Sequence, residues 1–216
     1  MGAAPVVHGL VCFDVDGTLV PGTSSCAWVA AALGHEAELV AAEAAYVAGQ
    51  MTNQEASVID ARGWAGHTEA EVSARLETLP LVDGIAETVR WCHDHGLRPI
   101  LTTLAWTPVG RMLADRFGFA AFCGPVPEAV GGRYTGEVAE HLDEYGKRDF
   151  ALAQGFPPER CVAVGDSRSD LPLFAAVGTS IGFNAAPVAR AVATHLVDDP
   201  DLRAIIPVLA AQLSNV

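Results

Sequence analysis

Lysine is almost missing from this sequence. Of its 13 basic residues, 12 are arginine and Lys147 is the only lysine. Lysine is a compact point charge on a flexible stem and arginine a planar fork, so a chain that keeps lysine once raises the question of what only lysine can do there. Positive charge is scarce altogether. Against 26 acids it leaves a formal net charge of -13, which argues against a nucleic-acid partner, because binding a polyanion by counterion release needs clustered cations. Long hydrophobic runs are absent too: none reaches the ~18 uninterrupted apolar residues of a membrane span, so no membrane partner is expected. Residues 1–9 contain no basic region leading into an apolar stretch, which is read as no secretion signal and a cytoplasmic protein. Cysteine pairs at metal-binding spacing are also lacking. Cys12, Cys26, Cys92, Cys123 and Cys161 are odd in number without a Cys-x-x-Cys, and read as small core residues of a reducing compartment. There are no internal repeats or low-complexity tracts.

What is present centres on residues 11–20, Val-Cys-Phe-Asp-Val-Asp-Gly-Thr-Leu-Val. The apolar run Leu10 to Phe13 suits a strand buried on both faces of a parallel sheet, and it delivers Asp14 and Asp16 to its carboxyl end. Open α/β sheets place their chemistry there. Past the strand end the roles of two such carboxylates can separate, one attacking while the other handles protons. A solvated acidic turn or a calcium loop competes with this reading until the rest of the chain is considered.

Residues 20–82 change character. They are rich in alanine and glutamate, with breaks at Gly34, Gly49 and Gly63 and capping boxes at Thr52/Glu55 and Thr68/Glu71, which predicts four helices and no strand. So long a helical stretch is a lid or cap, not a connection. Beyond it, Asp83 is expected to N-cap a helix that Gly96 stops, followed by a strand from Leu97 to Thr103 and a helix opened by Thr107 and Pro108. A strand at Ala120 to Cys123 and a hairpin about Gly131-Gly132 come next. Lys147 is expected to open a helix ending at Gly155. A buried strand at Cys161 to Val164 precedes Gly-Asp-Ser-Arg-Ser-Asp at 165–170. The remainder reads as a helix from Leu171 to Val177, a strand from Thr179 to Phe183, a helix from Pro187 to Thr194, and a last helix from Asp201 to Leu213 that kinks or begins anew at Pro207. With 216 residues and 50% hydrophobic content the chain fits one domain plus an insertion. The fold class is α/β, a doubly wound parallel sheet with an all-helical cap after the first strand. Residues 1–19 and 83–216 form the core, and 20–82 the cap.

Asp14-x-Asp16-Gly17-Thr18, Thr103, Lys147 and Asp166 with Asp170 resemble, in order and spacing, motifs I to IV of the haloacid dehalogenase superfamily, over about Leu10 to Leu202. The helical insert between the first two motifs, the hairpin at Gly131-Gly132 and Val162 to Asp166 followed by Asp170 make the phosphoserine phosphatase-like subgroup the nearest. The resemblance implies a Rossmann-like core and a phosphatase that hydrolyses a small phosphorylated metabolite through an aspartyl-phosphate on Asp14. Asp16 would act as acid and then base. Mg²⁺ would be held by Asp14, Asp166 and the carbonyl of Asp16, with Asp170 binding through water or orienting Asp166. Lys147 would pair with Asp14 and the phosphate, while Thr103 and N–H groups around Gly17 and Leu104 hold its remaining oxygens. Thr102 competes with Thr103, and N-capping of the next helix competes for Asp170.

The specificity positions depart from the subgroup. Where its members read their amino acid with a glutamate and an arginine, this chain places Thr23 and Asp60, with Arg62 serving only if the register slips by two. Leu104 and Ala105 replace a glycine pair. Residues 20–82 carry eight acids and two arginines. L-phosphoserine is therefore expected to be a poor substrate, and a neutral or cationic group packed on Trp28 or Trp64 to be preferred. Two alternatives stay open. A phosphotransferase or phosphomutase would keep the same motifs, and a receiver-like module would accept phosphate without turnover, although its acceptor lies on a later strand. His93 and His95 point apart and read as partners of a helix C-terminus, not as a metal pair.

Overall fold

The computed structural model describes residues 7–214; residues 1–6, part of the stretch read for a secretion signal, lie outside the described residues. The first strand, β1 (Gly9–Phe13), is buried along its whole length. Val11 and Phe13 pack into one apolar cluster and Leu10 and Cys12 into another, as the period-2 alternation of a strand between two helical layers requires. After β1 come α1 (Ser25–Leu33), α2 (Glu36–Val47), α3 (Asn53–Gly63) and α4 (Glu69–Leu76). The capping boxes stand where the sequence puts them: Thr52 and Thr68 accept from the N–H of Glu55 and Glu71, whose carboxylates reach back. Residues 20–82 thus hold four helices and no strand.

The chain then alternates α5 (Ile85–Asp94), β2 (Leu97–Thr102), α6 (Thr107–Phe117) and β3 (Phe122–Cys123). The hairpin β4 (Val126–Val130) and β5 (Arg133–Glu140) follows, and its Gly131 and Gly132 have φ of 60° and 78°, the left-handed pair a tight hairpin turn needs. Next are α7 (Glu144–Leu152), β6 (Cys161–Gly165), α8 (Leu171–Phe174), β7 (Thr179–Phe183), α9 (Pro187–Arg190), β8 (His195–Val197) and α10 (Ile206–Ser214). The six sheet strands run in the order β3-β2-β1-β6-β7-β8, and every pairing is parallel. The first strand is therefore central, and the crossover on each side of it carries helices. No helix among the described residues is long and apolar enough to cross a membrane.

Several local expectations are corrected. Lys147 lies one turn inside α7, because Asp143 caps that helix, accepting from the N–H of Tyr145 and Gly146. Asp83 caps nothing. Gly84, at φ 81°, takes the cap position of α5, and the Asp83 carbonyl accepts instead from the Leu202 N–H at 2.9 Å. The cap of α6 is Trp106, one residue before Thr107. Strand β8 is not among the expected elements, because three residues at a sheet edge carry too little pattern, and α9 stops at Arg190, before the Thr194 expected. Toward the C-terminus a 3₁₀ turn, Leu202–Ile205, gives way to α10 with Pro207 in its first turn.

The helical insert is tied to the sheet layer by aromatic packing. Trp64, 1% exposed, lies 5.6 Å from Trp106 and 4.9 Å from Tyr134 of the hairpin, ring centre to ring centre. Main-chain bonds from Gly66 N–H to Tyr134 and from Glu69 N–H to Gly132 fasten the same side. Trp64 is thereby packing and does not reach substrate space.

Candidate active site

Three strand ends converge at the carboxyl edge of the sheet. β1 delivers Asp14 and Asp16, β2 delivers Thr103, and β6 delivers Asp166 with the turn to Asp170. Lys147 reaches in from α7 with its side chain wholly buried, its ammonium 3.1 Å from Asp14 Oδ1 and 2.5 Å from Asp170 Oδ1. The other Asp170 oxygen accepts from the N–H groups of Asp166 and Ser167, each at 3.0 Å. This carboxylate makes no side-chain cap for α8; it braces the β6 turn and anchors Lys147.

Two glycines make this closeness possible. A Cβ on Gly17, whose φ is 83°, would lie 2.2 Å from Asp166 Oδ2, and one on Gly165 would lie 2.2 Å from Asp170 Cγ. Only glycine permits both contacts. The N–H of Gly17, expected to face phosphate, is instead spent within the turn on the Val20 carbonyl at 3.0 Å. Gly17 contributes space, not a hydrogen bond.

Charge in the cluster does not balance. Asp14, Asp166 and Asp170 offer oxygen atoms within 4.8 Å of one another, and one ammonium faces these three carboxylates. Burial, then the Asp170 charge, push Asp14 up to about 7 despite Lys147. Burial and then Asp14 raise Asp166 to about 8. Burial alone would lower Lys147, but Asp14 and Asp170 hold it above its ordinary value. With all three carboxylates ionised, two negative charges are uncompensated in a place where unpaired charge is costly, and without a metal, protons meet that deficit. A divalent cation with a preference for oxygen ligands meets that deficit, and the all-carboxylate donor set fits Mg²⁺.

Asp16 stands apart from this knot. It accepts from the Ser25 N–H at 2.7 Å and the Ser25 hydroxyl at 3.1 Å. Burial raises it to about 6, against the lowering effect of those two bonds. It faces a cavity of about 220 Å³ that Asp14, Thr103, Leu104, Trp106 and residues of α2 and α3 also line. Thr103 is on this wall and its hydroxyl accepts from the Ala105 N–H at 3.0 Å; Thr102 is buried with no partner for its hydroxyl. Leu104 narrows the cavity beside Thr103.

The expected substrate readers lie elsewhere. Arg62 is exposed and Thr23 bonds to the Ser24 carbonyl, and neither lines the cavity. Arg62 falls two residues beyond Asp60, so the helical turn carries it to the outer face of α3. Trp28 is also away from the cavity, under the Arg75 guanidinium at 4.3 Å. Asp60 does face in, with its two oxygens held by His35 Nε2 at 2.7 Å and Trp106 Nε1 at 2.6 Å. Sequence reasoning missed Glu43, Tyr46, Asn53 and Ser57 of the same wall. The signal existed, since Leu39, Glu43, Tyr46 and Val47 recur on one face of α2, and Asn53, Ser57 and Asp60 on one face of α3. His93 and His95 bond to the carbonyls of Gly118 and Trp91, apart from each other.

A model of the haloacid dehalogenase-like hydrolases matches residues 11–175, which span every one of these strand ends. The chain belongs to that family. Among its relatives, a phosphoserine phosphatase of Halobacterium salinarum is 32% identical over 198 residues, covering 89% of this chain and 93% of the relative. A phosphoserine phosphatase of Mycobacterium tuberculosis is 31% identical over 202 residues, covering 91% of this chain and 49% of the relative. The chain therefore spans about half the length of that second hydrolase. In fold it is similar to a phosphoserine phosphatase seen as an analogue of its phospho-aspartyl intermediate, with a TM-score of 0.83 at 22% identity, covering 94% of this chain and 99% of the other.

Proposed function

We propose that the protein is a Mg²⁺-dependent phosphomonoesterase that works through an aspartyl-phosphate on Asp14. The observation that carries this reading is the pairing of Asp14 with a wholly buried Lys147 at 3.1 Å, on the floor of a cavity that Asp16 also lines. A carboxylate can approach a phosphorus ringed by anionic oxygens only where positive charge is fixed beside it. Mg²⁺, held by Asp14, Asp166 and the Asp16 carbonyl, supplies further positive charge against those oxygens when bound.

The residues divide the reaction as follows. An Asp14 oxygen attacks phosphorus, and the bond from phosphorus to the ester oxygen breaks. Asp16, raised to about 6 by burial, gives its proton to the departing alkoxide. It then takes a proton from water as that water attacks the phosphorus of the aspartyl-phosphate, releasing inorganic phosphate and restoring Asp14. Lys147 holds Asp14 and a phosphate oxygen, and Thr103 and the Leu104 N–H, both on the cavity wall, are the groups offered to a second oxygen. In Asp14→Asn, turnover of p-nitrophenyl phosphate in Mg²⁺ buffer is expected to vanish with the circular dichroism spectrum unchanged; more than a few per cent residual rate removes Asp14 as nucleophile.

A further inference from the structure

The wall of the cavity opposite Asp14 carries charge of one sign. Beyond Asp14 and Asp16, the charged side chains that line it are Glu43 and Asp60, and no arginine or lysine does. The nearest cations are all committed elsewhere. Lys147 is buried between Asp14 and Asp170. Arg168 lies over the Tyr46 ring, donates to the Tyr46 carbonyl and pairs with Glu144 at 3.5 Å.

Three hydrogen-bond donors of that wall are spent as well. The Ser57 hydroxyl donates to the Asn53 carbonyl at 2.8 Å, the Asn53 amide to the Leu142 carbonyl at 2.9 Å, and Trp106 Nε1 to Asp60. Asp60, held at both oxygens, has little left to offer. Glu43 differs: one of its oxygens accepts from the Ser24 hydroxyl at 2.6 Å, and the other has no partner among the described residues. Three residues further along α2, the Tyr46 hydroxyl is buried without a partner. What this wall keeps in reserve is thus a free carboxylate oxygen, an acceptor without a matching cation, and a phenol hydroxyl that can accept or donate.

We infer that the substrate is a phosphomonoester of an amino alcohol, its ammonium read by Glu43, and that a carboxylate on the same substrate is rejected. This rests on the phosphatase reading above. An ammonium beside Glu43 gives its free oxygen a donor and supplies the charge the wall lacks. A substrate carboxylate would instead lose its water against Glu43 and Asp60 with no cation to replace it. A cavity of about 220 Å³ limits the ester to a short chain. Phosphoserine carries both groups, so this chain has a partner for its ammonium and no cation for its carboxylate. The relatives bear the name of that substrate; here its reading would be half removed.

The test compares kcat/KM for phosphoethanolamine, L-phosphoserine and glycerol phosphate in Mg²⁺ buffer, with p-nitrophenyl phosphate as the reference ester. Phosphoethanolamine is expected to exceed L-phosphoserine by on the order of 10²-fold. Glu43→Gln is expected to shrink the preference for phosphoethanolamine over glycerol phosphate by on the order of 30-fold, the scale for losing one partner of a desolvated charge pair. L-phosphoserine matching or exceeding phosphoethanolamine, or a preference that Glu43→Gln leaves in place, overturns the inference while the phosphatase reading stands. Failure of the wild-type protein to turn over p-nitrophenyl phosphate overturns that reading and the inference with it.

Discussion

The two ends of the cavity are built in different ways. At the sheet end, Asp14, Asp166, Asp170 and Lys147 hold one another at contact distance, and two glycines exist to let them do so. At the helical end, single residues from α2 and α3 face inward and are pinned by unrelated partners, Glu43 by Ser24 and Asp60 by His35 and Trp106. On the proposed phosphatase reading, the chemistry of phosphate accounts for the first arrangement, because the charges to be met are the same for every ester. The second meets whatever the ester carries, so its residues are free to differ among related hydrolases.

The largest effect that probes this contrast belongs to Lys147→Arg. A planar guanidinium cannot occupy the point between Asp14 and Asp170, and the rate is expected to fall ~10²-fold or more, the cost of a ~1 Å misplacement. Steady-state kinetics on p-nitrophenyl phosphate read it. A near-normal rate would mean that the sheet end tolerates change as the helical end does.

Next in size is Gly63→Ala in α3. A Cβ there would lie 2.1 Å from the His35 ring, so His35 must leave Asp60 or α2 must shift. Overpacking of this kind typically costs about 1–3 kcal/mol, to be read as a lower midpoint in urea. The sheet end is untouched, so kcat for p-nitrophenyl phosphate is expected to change less than in Lys147→Arg.

A smaller effect separates the ends by pH. Folding raises Asp14 and Asp166 above the ordinary carboxylate range, so the metal-free fold binds more protons than the unfolded chain until about pH 8. The stability this cluster contributes is present at low pH and lost as pH rises through those values. Mg²⁺ needs the deprotonated carboxylates, so the gain in Tm on adding it is expected to grow with pH across that window. A gain that is independent of pH would place the metal away from these two groups.

Arg62→Ala carries the smallest expectation. The side chain is exposed and outside the cavity, so stability stays within about 0.5 kcal/mol and the ranking of phosphoethanolamine, L-phosphoserine and glycerol phosphate is unchanged. A change in that ranking would return Arg62 to the substrate wall.

Legibility in the sequence follows the same division. Asp14, Asp16, Thr103, Asp166 and Asp170 could be picked out because strand ends and short turns place them within a few residues of recognisable signals, and Lys147 because it is the only lysine. The helix starts at Thr52 and Thr68 were readable for the same reason, as local bonds between Thr and Glu three residues on. Glu43 and Tyr46 share a recurring face of α2, but that spacing does not say what the face meets; their place on the cavity wall follows from how α2 packs on α1 and α3. His35, Asp60 and Trp106 form one network from three separate elements, and the counting that reached Asp60 could not show that its carboxylate was already taken. Strand β8 escaped because three edge residues carry no alternation long enough to recognise.

Where the phosphoryl group goes tests the proposed mechanism most directly. Asp16→Asn removes the base that activates water and should leave the first half of the reaction able to proceed with a good leaving group. Acid quenching of that variant after mixing with p-nitrophenyl phosphate, followed by mass spectrometry of its peptides, is expected to show one phosphoryl group per chain, on Asp14. Release of p-nitrophenol with Asp14 unlabelled would contradict it.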